Sequence, residues 1–120
     1  MVASEEGQQT RNEVVLQGRL AAAPVERELP SGDAITTWRL VVPRTSGQRP
    51  PPEGVRVTSV DTLDCVAWTP AARRGIRRAE AGDLLAVEGA LRRRFWRAGS
   101  GVASRCEVEV ARVRRIRAPR

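Results

Sequence analysis

The residues best suited to chemistry stand in "EGALRRRFWRAGSG", residues 88–101, where Arg92, Arg93, Arg94, Phe95, Trp96 and Arg97 follow one another. A guanidinium keeps its charge at any ordinary pH and presents a planar fork of donors that fits phosphate. An indole offers a flat apolar face on which another planar group can stack. In an extended strand side chains alternate, so Arg92, Arg94 and Trp96 project from one face and Arg93 and Phe95 from the other. The first set would supply two phosphate contacts and one stacking platform, and the second would serve the core or a subunit contact. A partly exposed packing role is the other reading of Trp96. Its position is notable because the chain has no tyrosine and Phe95 is its one phenylalanine.

What the chain lacks narrows the chemistry further. Without histidine there is no Ser-His or Cys-His pair and no imidazole metal ligand. Cys65 and Cys106 lack Cys-x-x-Cys spacing, so each is expected to be a small buried apolar side chain. There is no lysine for a phosphate-binding loop, and the carboxylates are scattered. The expectation is a protein that is not an enzyme and uses no metal or cofactor. No apolar run is long enough to span a membrane, and the polar, acidic start "MVASEEGQQT" does not read as a signal peptide. A soluble, cytoplasmic protein follows as the expectation.

Net charge is +7, and every one of the 21 basic residues is arginine. Residues 91–120 hold ten arginines against Glu107 and Glu109, a balance of +8, whereas residues 1–90 hold eleven against twelve acids, a balance of −1. The excess positive charge therefore lies in the last quarter of the chain. Such a local face suits a polyanion, nucleic acid before an anionic membrane, with a merely solubilising surface as the alternative.

These side chains need strands to position them. Residues 1–11 read as disordered and 12–117 as one folded domain, with a frayed end at 118–120. In "EVVLQGRL" Val14, Leu16, Gly18 and Leu20 share a face, and "VEREL" extends this first strand past Pro24 to a turn at "PSGD". "AITTWRLVV" is a second strand with Trp38 among apolar neighbours as a core residue, followed by a Pro- and Gly-rich loop at 43–54. "VRVTSVDTLDCVAW" (55–68) is a third strand, with Leu63, Cys65 and Ala67 opposite Thr62, Asp64, Val66 and Trp68. Thr69 as N-cap and Pro70 open a short helix that closes at Gly82. "DLLAVEGALRRRFWR" and "VASRCEVEVARVRRI" are the fourth and fifth strands, joined by a turn at "AGSG". The order predicts an all-β, five-stranded OB-fold barrel with one short helix between the third and fourth strands.

Four segments, "NEVVLQGRL", "PSGDAITTWRLVVPR", "DCVAW" and "GDLLAVEGALRRRFW", stand in this order at separations that resemble the bacterial single-stranded DNA-binding protein family. The resemblance spans roughly residues 12–117. It implies sequence-independent binding of single-stranded DNA, by base stacking on exposed aromatics with basic residues tracking the phosphates. Trp96 matches the family's aromatic at the end of the fourth strand, Arg92 and Arg94 its basic residues just before, and Trp68 a stacking aromatic ending the third. Arg39, Arg44 and Arg97 complete the nucleic-acid-binding set. The resemblance further implies a homo-oligomer, a tetramer or a dimer, with Val15 and Leu63 as candidate subunit contacts. It implies a nucleoid-associated, accessory role in replication, repair or recombination.

The departures also carry expectations. Ser46 and Thr62 stand where the family often has aromatics, and Asp64 stands where a basic residue is usual and would repel a phosphate. Weaker binding than that of a housekeeping member follows. The end "RRIRAPR" is basic where the family has an acidic tip, so no enzymes recruited by such a tip are expected. Two alternatives remain: an RNA- or primosome-associated binder of the same fold, or a protein-interaction barrel that has lost its ligand.

Overall fold

The computed structural model describes residues 9–44, 53–54 and 59–117. Most of the expected N-terminal segment, most of the 43–54 loop with Ser46, the expected strand start at 55–58 and the 118–120 tail lie outside the described residues.

The described chain runs β1 (Val14–Leu20), β2 (Val25–Glu28), β3 (Ala34–Pro43), β4 (Val60–Ala67), α1 (Pro70–Arg77), β5 (Leu84–Ala98) and β6 (Gly101–Arg117). β1 pairs with both β5 and β3, which closes a ring in the order β1–β5–β6–β4–β3. All ladders of the ring are antiparallel except β4–β6, where Cys65 and Val66 run parallel to Val108 and Glu109. After Ala21–Pro24 the chain continues as β2, which pairs with β3 alone. β1 and β2 are thus two halves of one bent first strand. The architecture is the five-stranded OB barrel that the alternation predicts, with its helix in the expected place.

Closure depends on two points of backbone contact. A Cβ on Gly18 would meet the Val41 carbonyl where β1 crosses to β3, and one on Gly89 would meet the Glu109 carbonyl. At Gly89 the β5–β6 register also shifts, so the strand bends there around the barrel.

Inward residues of every barrel strand supply the core: Leu20, Trp38, Leu40, Cys65, Ala67, Leu85, Val87, Val108 and Val110 are buried together. Trp38 is only 5% exposed, in agreement with its expected core role. α1 plugs one end with Ala72 and Ile76. Its start follows the sequence signal, since the Thr69 hydroxyl accepts the Ala72 N–H at 3.1 Å. Its end does not. The helix stops at Arg77, and the Asp83 carboxylate then accepts the Glu80 N–H at 2.8 Å while Gly82 N–H donates to the Leu20 carbonyl at 2.8 Å. The segment expected to finish the helix is a turn tied to β1.

β5 and β6 outrun the barrel. Beyond Leu91 and Val108, where β6 leaves β4, the two strands pair only with each other as a hairpin arm whose outer end turns at Gly99 and Ser100. At about 3.4 Å per residue the arm projects on the order of 20 Å. Asn12 clasps its base, donating to the Leu91 carbonyl and accepting the Leu91 N–H, each at 2.8 Å.

The arm corrects one expectation about the cysteines. Cys65 is buried, and burial, reinforced by the charges of Asp64 and Glu107, pushes its thiol from 9.0 up to about 12. Cys106, by contrast, is exposed. It lies on the continuation of the inward face, beyond the barrel, where the residues of that phase on both strands of the arm are exposed among the described residues. Among the described residues no helix is long and apolar enough to cross a membrane.

Candidate nucleic-acid interface

The outward positions of β2, β3, β4, β6 and β5 make one curved face, because each ladder pairs outward with outward residues. Arg39 stands opposite Asp64, Arg92 opposite Glu107, and Arg94 opposite Arg105. Alternation then carries the face along the arm to Trp96, opposite Ala103. Trp68 follows the last residue of β4 and borders a cleft of about 340 Å³ that Arg92 and Glu109 also line. Trp68 is 43% exposed and Trp96 40%. Both indoles are exposed, leaving ring surface on which a planar partner can stack.

Trp96 has a cation at its ring, with the Arg105 guanidinium carbon 5.7 Å from the ring centre. A second cleft, about 420 Å³, is lined by Arg27, Arg94, Trp96 and Arg105. Beside it a third, about 400 Å³, reaches from Arg94 and Arg105 across Asp64 to Arg39 and Arg27. Arg27 and Arg105 thus belong to the face although neither was in the sequence-derived set. Arg105 was within reach of the sequence: folding the hairpin about "AGSG" places it opposite Arg94. Arg27 was not, since its place follows from the β2–β3 register.

Carboxylates hold most of these cations. Arg92 Nε donates to Glu109 Oε2 at 2.8 Å, and Arg94 lies 3.8 Å from Glu107. Arg39 Nε donates to Asp64 Oδ1 at 3.3 Å and Arg105 Nη1 to Oδ2 at 3.5 Å. Asp64 therefore does not stand as a bare charge toward a phosphate. Two guanidiniums flank it, so the local balance is positive.

Of the expected site residues, Trp68, Trp96, Arg92, Arg94 and Arg39 share this face. Arg97 does not. It lies opposite Val102 on the reverse of the arm, with Arg93 and Phe95, because its position is one residue out of phase with Trp96. Arg44 closes the end of β3 and is held by Asp61, whose Oδ1 accepts from its Nη2 at 3.0 Å and its Nε at 3.2 Å. Val66, expected on the outward side, is there but buried, flanked by β3 and β6.

Fold and face together define an OB barrel with a cationic, tryptophan-bearing outer surface. The family model described as Single-strand binding protein family matches residues 11–116, and the chain belongs to that family. It is 36% identical over 87 residues, 69% of this chain and 45% of the relative, to "Single-stranded DNA-binding protein A" of Bacillus subtilis. It is 32% identical over 90 residues, 75% of this chain and 54% of the relative, to "Single-stranded DNA-binding protein 2" of Listeria innocua. A "Single-stranded DNA-binding protein" of Bacillus cereus is also 32% identical over 90 residues, 75% of this chain and 50% of that protein. The chain spans about half the length of these relatives.

Proposed function

We propose that the outer face binds single-stranded DNA without reading most of its sequence, bases stacking on Trp96 and Trp68 while Arg92, Arg94, Arg105, Arg39 and Arg27 meet phosphates. The observation that carries this reading is the placement of two half-exposed tryptophans on one face, with Arg92 and Arg94 between them along β5. Every base has a π-face, so stacking tolerates any sequence. Family membership and the names of the relatives support DNA as the ligand. The proposed role is non-catalytic, in the bacterial cytoplasm, accessory to replication, repair or recombination.

One barrel covers few nucleotides, so tight binding calls for several copies on one strand. Val15, 75% exposed on β1, is the proposed contact between copies, in a tetramer or a dimer. Arg44 and Arg97 lie off the face and take at most an outlying part.

The test is tryptophan fluorescence during titration with a thymidine oligomer of several tens of nucleotides at two salt concentrations. Quenching that weakens as salt rises is the expected result, since phosphate contacts release counterions. A folded protein that shows no quenching at low salt overturns the reading and leaves a protein-interaction barrel.

A further inference from the structure

We propose that Asp64 and its flanking arginines form a base-reading subsite that prefers guanine, set within an otherwise sequence-tolerant face. The inference rests on the single-strand reading above and adds a selectivity to it.

A surface that only had to attract phosphate would gain nothing from a carboxylate at its centre. Asp64 nevertheless stands in the middle strand of the face, one-third exposed and flanked by two arginines. Each oxygen accepts from a different arginine, Oδ1 from Arg39 and Oδ2 from Arg105. An ionised carboxyl offers about four lone-pair positions, so each oxygen keeps one acceptor position beyond its arginine. Arg39 and Arg105 are themselves more than half exposed, with donors to spare.

The cleft in front of this group measures about 400 Å³. One wall is apolar, formed by Ala21, Ala22, Ala23 and Val25, and Arg94 and Arg105 line the cleft as well. A planar ring can lie against the alanines with its polar edge turned to Asp64. Small-molecule sites of this kind combine an apolar wall with a few placed polar groups.

The chemistry of that edge selects the base. Guanine carries two adjacent donors, N1–H and N2–H₂, next to the O6 acceptor. The donors match the two carboxylate oxygens, and a guanidinium beside them meets O6. Thymine has one donor between two carbonyls, which brings O2 and O4 against the carboxylate. Adenine and cytosine each offer one amino group there. Guanine therefore ranks first and thymine last. Unpaired bases in single strands expose this edge, so it can be read without opening a duplex.

The experiment compares three oligomers of equal length by fluorescence anisotropy: all-thymidine, thymidine with isolated guanines, and the same with inosine at those positions. Isolated guanines prevent four-stranded assemblies, and inosine deletes only the N2 amino group. The wild-type protein is expected to bind the guanine oligomer about tenfold more tightly than the thymidine one, with inosine losing most of that advantage. In Asp64→Ala the guanine-to-thymidine ratio falls to about one, whatever happens to the absolute affinities. Equal wild-type affinity for all three oligomers overturns the subsite and leaves the single-strand reading standing. So does an Asp64→Ala variant that shifts all three affinities by the same factor, which would make Asp64 an electrostatic or positioning group. Failure to bind any oligomer overturns the single-strand reading itself.

Discussion

Arg105 reaches across the hairpin to Trp96, and the same guanidinium touches Asp64 on β4, which in turn accepts from Arg39 on β3. The chain Trp96–Arg105–Asp64–Arg39 joins the projecting arm to the barrel. An exposed cation–π contact contributes only ~0.5–1 kcal/mol. Here it also sets where the indole points, because the cation is anchored from behind.

Removing Arg105 should therefore do more than remove one charge. In Arg105→Ala the Trp96 emission of the free protein shifts to longer wavelength as the ring loses its cover. Affinity for a thymidine oligomer falls by about as much as in Trp96→Ala, ~1–3 kcal/mol for one stacking platform. An Arg105→Ala variant with unchanged emission and affinity would show that the chain positions nothing.

Glu109 bears on affinity in the opposite direction. It holds Arg92 at 2.8 Å, so a phosphate reaching Arg92 must compete with a carboxylate already in place. Glu109→Gln is expected to tighten binding at low salt and to steepen the dependence of log K on log salt by up to about 0.7, one further phosphate contact. Glu13→Gln makes the same change in net charge, but Glu13 pairs with Arg11 near the start of β1. A smaller effect there separates local competition from the overall field. Equal effects of the two substitutions would refute the competition.

Gly89 carries a stability prediction. An alanine methyl would meet the Glu109 carbonyl and the Val110 Cα, which are backbone atoms of a paired strand and cannot swing aside. Gly89→Ala should destabilise the barrel by about 3 kcal/mol, at the upper end of over-packing costs, as read by urea unfolding. Gly101, at the far end of the arm, has open space around it, and Gly101→Ala should leave stability within about 0.5 kcal/mol. The pair locates the strain at the bend of the barrel and not in the arm.

Period-two alternation made the core and the shared face of Arg92, Arg94 and Trp96 readable from sequence, because both depend only on which side of a strand a residue takes. The same parity already set Arg97 apart. Alternation gives side, not depth, which is why Cys106 could pass for a buried residue: it keeps the inward phase after the barrel has ended. Partners across strands were hidden for a different reason. The ion pairs of Asp64 with Arg39 and Arg105, of Arg44 with Asp61, and the Asn12 clasp on Leu91 all join residues far apart in the chain. Each depends on register and closure, and single-strand patterns do not encode them. The helix ends at Arg77, ahead of Gly82, and the residues after it form a turn held by Asp83 and by the Gly82 bond to β1, partnerships that the local pattern does not show.

Cys65 gives the clearest pH prediction, because its thiol is buried in the folded protein. The chain has no tyrosine and no lysine, so neither side chain competes with it in the alkaline range. In the folded protein the Cys65 thiol is pushed from 9.0 up to about 12, by burial first and then by Asp64 and Glu107. Above pH 9 the unfolded chain releases a proton that the folded one keeps, so stability must fall as pH rises. The stabilisation from the neutral thiol is complete below about 9 and is lost progressively toward about 12. The slope approaches roughly 1 kcal/mol per pH unit within that window. Urea unfolding at a series of pH values should show this decline in the wild type. Cys65→Ala, less stable at neutral pH because a buried side chain is truncated, should lose markedly less across the same range. Parallel slopes in the two proteins would mean that another group governs the alkaline limit of the fold.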